Sequence, residues 1–341
     1  MKSQILSSLK LILFLVIGIF FFWLAFRGQD FNAIKNTLAK ANYWWLLPAL
    51  FFAMVSNISR AIRWNMLIHP IGYRPKLANT FAAVMTGYLA NLAVPRLGEI
   101  TRCTVLNRYE KIPVQSLLGT VVAERVVDVL SLFLVLIFVV LAQFELLSTF
   151  VMNNFLTPFA DKIIGYMSKG IVFYAITFAI VAVVVFIIWR FLIHFKTTNF
   201  YRKLLGVLKG FMEGLNTIRR LKSKGWFVAH TIILWSCYTL MAYFCFFCFD
   251  FSSHMNAMQG ITIMIFGGLG FVVPVQGGIG AYHYIVTQTM MVYGLSQMDG
   301  LSYATLCHGL QTMAVIIFGA LSFFALPFYN RVSKPIANEQ A

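Results

Sequence analysis

The sequence predicts an all-α, polytopic membrane protein, and three observations predict it. Hydrophobic residues fill 60% of the 341 positions and charged residues only 11%, against roughly 45–50% and about 25% in soluble domains. Apolar runs near the length a bilayer demands recur along the chain, separated by basic stretches. Two runs are broken by similar turns, Val94-Pro95-x-x-Gly98 and Val273-Pro274-x-x-Gly277. Paired Gly/Pro-interrupted apolar segments point to an inverted repeat with a polar site near the midplane. We therefore expect one integral membrane domain over 1–341, with halves 1–143 and 171–326, about six full crossings and two re-entrant or broken hairpins.

The segments follow in order. Residues 11–26, preceded by Lys2 and Lys10, read as an uncleaved signal anchor, because Arg27 and Gln29 follow where small residues would mark a cleavage site. A polar segment, 28–42, leads to Tyr43, Trp44 and Trp45, an interfacial aromatic belt opening a span that Arg60 and Arg63 close. Residues 77–94 end at Pro95, and 113–143 form a long span. The loop 144–169 is nearly neutral, 171–189 is strongly apolar, and 190–225 is crowded with Lys and Arg. Within that basic loop Leu204, Leu208, Phe211, Leu215 and Ile218 share one helical face, so 199–223 reads as an amphipathic helix on the membrane surface. Spans at 226–249 and 301–326 flank the broken run 258–293. If 77–112 and 258–293 each return to the side they left, the basic loops 60–76 and 190–225 and both termini fall on the cytoplasmic side.

Charge and cysteines exclude other classes. The net charge of +16 lies in the stretches between apolar runs, where it sets orientation and attracts anionic lipid rather than nucleic acid. The five cysteines are scattered, and Cys245-x-x-Cys248 sits in the apolar context "AYFCFFCFD", which reads as small core filler. Neither a metal-ligand spacing nor a nucleotide fingerprint is visible, so no cofactor is expected.

Three polar clusters interrupt the apolar runs. In "PRLGEITR" the residues Arg96, Glu99 and Arg102 stand three apart, on one face if a helix starts at Pro95. Glu99 would pair with Arg96 or Arg102, leaving a positive charge beside a helix N-terminus, suited to a lipid phosphate. A headgroup-level loop would carry the same residues. In "ERVVD" Glu124, Arg125 and Asp128 can form an ion network that faces those arginines, or a structural bridge that locks helices together. In "PVQGGIGAYH" Gly277, Gly278 and Gly280 let backbone approach closely and free N–H groups for a ligand, and His283 can bond a headgroup or a neighbouring helix.

These three motifs, in this order, resemble the membrane domain of the lysylphosphatidylglycerol synthetase/flippase family, which includes the multiple peptide resistance factor. The resemblance covers nearly the whole chain. It implies a helical fold with about eight helices or helix pairs that moves lipids with modified headgroups between leaflets. Carried over by motif, Arg96, Glu99, Arg102, Glu124, Arg125 and Asp128 form the polar core. Two departures matter: Pro95 and Arg96 are adjacent where the common form has an intervening residue, and no synthase domain accompanies the membrane part.

The expected function is a lipid flippase or transporter of the bacterial inner membrane, with anionic or aminoacylated phospholipids as partners. Two other classes remain open: a membrane enzyme on lipid-linked substrates, with Glu124 or Asp128 as base, and a scaffold subunit for an envelope-lipid synthase. No nucleophile pattern accompanies the carboxylates, so catalysis is not expected.

Overall fold

Residues 15–95, 97–152 and 223–332, with isolated positions 156, 157, 161, 183 and 221, are described in a computed structural model. Arg96, nearly all of the apolar segment 171–189 and nearly all of the amphipathic segment 199–223 fall outside these residues. The described residues are helical, with no strand among them.

The helices are α1 (Leu15–Phe26), α2 (Phe31–Ala39), α3 (Leu46–Ile68), α4 (Leu77–Ala93), α5 (Leu97–Glu110), α6 (Val114–Ala142), α7 (Phe144–Val151), α8 (Lys224–Phe246), α9 (Ala257–Gly270), α10 (Ala281–Val292) and α11 (Gln297–Val332). Four stretches among the described residues are long and apolar enough to cross a membrane: Tyr43–Ile71, Val114–Ala142, Lys224–Phe246 and Gln297–Arg331. The predicted aromatic belt is exposed, Trp44 most of all.

Several boundaries differ from expectation. The polar segment 28–42 holds the helix α2, because the Asp30 side chain accepts from the Asn32 N–H and caps it. The supposed loop after 143 opens with α7, which carries Glu145 in its first turn. The last span extends from 301–326 to 297–332, with Pro327 inside it, a turn from the end.

Two antiparallel hairpins organise the molecule. The 17-residue α4 and 14-residue α5 form the first. Their outer ends meet, since Glu110 accepts from the Lys76 N–H at 2.9 Å and from Asn79 at 2.6 Å. Near the tip they touch at glycines: a methyl on Gly98 would collide with the Gly87 carbonyl and the Asn91 side chain. Small residues at such crossings let apolar helices pack without a hydrophobic driving force between them. The Gly98 N–H also donates to Asn91 Oδ1 at 2.6 Å.

The second hairpin is α9 and α10, of 14 and 12 residues. Gln143, at the end of α6, donates to Thr262 at 2.5 Å and accepts from Tyr293 at 2.8 Å, so both outer parts of this hairpin lie at that end. The first hairpin's outer ends adjoin the start of α6, through residues 111–113. The hairpins thus approach from opposite ends of α6, and their tips meet: a methyl on Gly277 would lie 3.0 Å from Leu92 Cδ2.

Each hairpin has its own apolar core. Trp64, Ile68, Val84, Leu106, Leu117 and Val121 pack around the first. Phe246, Ile263, Val286, Met290 and Tyr303 pack around the second, together with Cys245, Cys248 and Cys307. The Cys-x-x-Cys pair is therefore core filler by position.

Candidate functional site, a buried ion network

Helix α6 supplies the centre. Glu124 and Asp128 stand one turn apart and share a face by i, i+4 spacing. The side chain of Glu124 is 0% exposed. Arg60 of α3 donates from Nη1 to Glu124 Oε1 at 2.6 Å and to Asp128 Oδ2 at 2.9 Å. Arg63, one turn on and fully buried, donates to Asp128 Oδ1 at 2.6 Å. Arg102 of α5 brings Nη1 within 2.9 Å of Glu124 Oε2. At the outer edge Arg125 donates to Glu99 Oε1 at 3.0 Å; these side chains are 42% and 29% exposed.

Aromatic groups complete the enclosure. Arg102 stacks on Trp64 at 4.7 Å, and Arg63 lies over Phe227 at 5.3 Å. The indole of Trp64 donates to Thr120 at 2.9 Å, which fixes the ring beneath Arg102. Helix α8 closes the far side: Tyr238 accepts from Arg60 at 3.1 Å, and Ser59 bonds His230.

Among the described residues, four arginines face three carboxylates in this network, which leaves one positive charge. Removing such groups from water costs several kcal/mol per ion, offset only by pairing and full hydrogen bonding. That satisfaction is incomplete. Arg60 Nε, Arg63 Nε and Nη1, and Arg102 Nε and Nη2 are buried without a hydrogen-bond partner among the described residues. The Arg102–Glu124 contact is ionic without being an aligned hydrogen bond, since Oε2 also lacks one. Arg102 is the most loosely held of the three buried guanidiniums.

Of the sequence-predicted residues, Glu99, Arg102, Glu124, Arg125 and Asp128 come together, and Arg96 lies outside the described residues. Two corrections follow. Glu99 pairs across to Arg125 rather than with Arg102 in its own helix, because α6 presents a complementary charge to that face. Arg60 and Arg63 do not mark a loop: they lie inside α3, buried, and bind the carboxylates. Their 3-residue spacing, matching the 4-residue spacing of Glu124 and Asp128, is the signal that sequence offers. Within the α6 cluster itself, Arg125 and Asp128 form the expected i, i+3 ion pair, at 4.0 Å.

The glycine turn forms a second, separate cluster. Gly277, Gly278 and Gly280 take positive φ angles of 57°, 77° and 82°. The N–H groups of Gly278 and Gly280 are not free for a ligand, contrary to the expectation from sequence. They donate to Val275 O and His283 Nδ1, because the turn must satisfy its own buried backbone. His283 is buried against His308, with ring centroids 4.8 Å apart, and His308 Nε2 lies 2.7 Å from the Gly277 carbonyl. Sequence reading misses His308, which stands in the middle of a long apolar helix. No hydrogen bond or ion pair joins this cluster to the arginines among the described residues.

Long apolar helices around a buried cluster of opposite charges define an integral membrane protein whose polar centre lies within its apolar mass. The description "lysylphosphatidylglycerol synthase TM region" matches residues 11–319, and the chain belongs to that family. It is also 25% identical over 248 residues to the UPF0104 membrane protein MJ1595 of Methanocaldococcus jannaschii, covering 68% of this chain and 67% of that protein. No solved structure matches.

Proposed function

We propose that this protein moves phospholipids, or lipids with modified headgroups, between the leaflets of a bacterial inner membrane, and that the ion network receives the headgroup phosphate. The observation that carries this reading is the set of buried guanidinium N–H groups without acceptors among the described residues, in a site with one surplus positive charge. A phosphate supplies both the missing charge and the missing acceptors, and guanidinium forks match its geometry.

The hairpins suit that role. By length α4 and α5 reach about 26 and 21 Å, and α9 and α10 about 21 and 18 Å, against a hydrocarbon core of about 30 Å. In this reading each dips from one face and returns, and the two tips meet near the midplane. The headgroup passes between them while the acyl chains stay in lipid. Arg125 and Glu99 form the outer gate, and Arg102 is the group that exchanges Glu124 for the phosphate. The basic residues Arg74, Lys76 and Lys111 support a cytoplasmic position for the outer end of the first hairpin, and with it for both termini. Arg60 and Arg63, being buried, carry no weight in that assignment. Transport by this route is passive or ion-coupled.

The test is leaflet exchange in reconstituted vesicles, followed by chemical quenching of outer-leaflet fluorescent lipid. Wild-type protein should accelerate exchange over empty vesicles. Arg102→Gln, inserted and monodisperse, should slow it at least tenfold. Equal rates for the two proteins would exclude Arg102 from headgroup exchange.

A further inference from the structure

A second feature lies away from the network. A cavity of about 250 Å³ opens between the C-terminal parts of α5 and α11, lined by Val105, Arg108, Phe323, Phe324, Phe328 and Arg331 among others. Phe324 and Phe328 are each 67% exposed, so the groove faces the surroundings of the molecule. Its lining includes two guanidiniums and no carboxylate.

The surrounding structure makes this a rigid recess. Asn79 of α4 and Asn330 of α11 exchange two side-chain hydrogen bonds, at 3.0 and 2.9 Å, which pins the end of α11 to the first hairpin. Glu110, the nearest acid along α5, is occupied by Asn79 and the Lys76 N–H. Lys76 lies near the same end of α11 without lining the cavity, its Nζ 5.7 Å from the Tyr329 ring. The face therefore carries an apolar trough with cations at its rim, at the end of α4, α5 and α11 where residues 69–76 and 111–113 also lie.

We propose that this groove binds an anionic glycerophospholipid, its phosphate between Arg108 and Arg331 and one acyl chain along Phe323, Phe324 and Phe328. A chain without headgroup charge would leave the cations unused, and a soluble anion would leave the exposed rings uncovered. An anionic lipid from the surrounding bilayer satisfies both. The site is distinct from the ion network, although Val105 and Arg108 follow Arg102 on the same helix by about 4.5 and 9 Å of rise. It stands whether or not the protein transports lipid.

Native mass spectrometry of the purified protein, equilibrated with equal phosphatidylglycerol and phosphatidylcholine, tests this. Wild-type protein should retain phosphatidylglycerol roughly tenfold or more over phosphatidylcholine, since each surface cation favours anionic lipid. Arg108→Gln with Arg331→Gln should abolish that preference. Val105→Trp, which fills the groove and keeps both charges, should reduce retention of the lipid itself. In an Arg102→Gln background the preference should persist. Equal retention of the two lipids by wild type, an unchanged preference in the double glutamine variant, or loss of the preference in the Arg102→Gln background would each overturn the proposal.

Discussion

Arg102 on α5 lies 2.9 Å from Glu124 on α6, while the other oxygen of the same carboxylate is held by Arg60 at 2.6 Å. One buried carboxylate thus joins three helices, and its loss would leave Arg102 without a carboxylate in the protein interior and Arg60 with Asp128 alone. Glu124→Ala should destabilise the protein by about 3–5 kcal/mol, the range for breaking a buried pair. Thermal unfolding in detergent measures this, and Glu124→Gln, which keeps one acceptor, should fall between it and wild type. A loss under about 1 kcal/mol for the alanine variant would mean that the network adds little to stability.

The meeting of α4 and α5 depends on two glycines. Gly98→Ala pushes a methyl into the Gly87 carbonyl and the Asn91 side chain, an overpacking that should cost about 1–3 kcal/mol. Gly119→Ala in α6 meets nothing within 4 Å and should be neutral or stabilising by up to about 1 kcal/mol. Comparison of the two melting temperatures separates the crossing from generic helix propensity.

Much of this architecture is legible in the sequence, and the reasons for the rest are physical. Glu124 and Asp128 stand out because carboxylates on an apolar helix are costly without partners. The matching Val-Pro-x-x-Gly turns mark both hairpin tips. Arg60 and Arg63 escape detection because an arginine near the end of an apolar run has the same appearance whether it snorkels to the headgroups or turns inward. Only the partner helix decides, and that partner lies 64 residues away from Arg60 in sequence. Short helices such as α2 and α7 escape hydropathy, since neither is long enough to span. His308 is a single polar residue whose acceptor, the Gly277 carbonyl, belongs to a turn that sequence cannot place beside it.

The opposed hairpins make a labelling prediction. Single cysteines at Ile71 and Lys111 should react with a membrane-impermeant thiol reagent from one side, and cysteines at Asp250 and Gly294 from the other. The five native cysteines are buried, so background labelling should be low. Labelling of all four positions from the same side would contradict the arrangement around α6.

The reciprocal amide pair between Asn79 and Asn330 ties the start of α4 to the end of α11. Asn330→Ala should lose about 0.5–1.5 kcal/mol, the net worth of such bonds. In a double-mutant cycle with Asn79→Ala the two losses should be less than additive, because each substitution removes the same pair. Simple additivity would show that the amides act independently.

The proposed transport route stands or falls on whether a lipid headgroup sits among Arg60, Arg63 and Arg102. A phospholipid bearing a photoreactive group on its headgroup, irradiated in vesicles with the protein and mapped by peptide mass spectrometry, reads out that position. Adducts should fall within 97–128, close to Arg102 and Glu124, and disappear in Arg102→Gln. Adducts confined to outward-facing residues such as Leu134 and Phe138 of α6, and unchanged in that variant, would contradict the headgroup site.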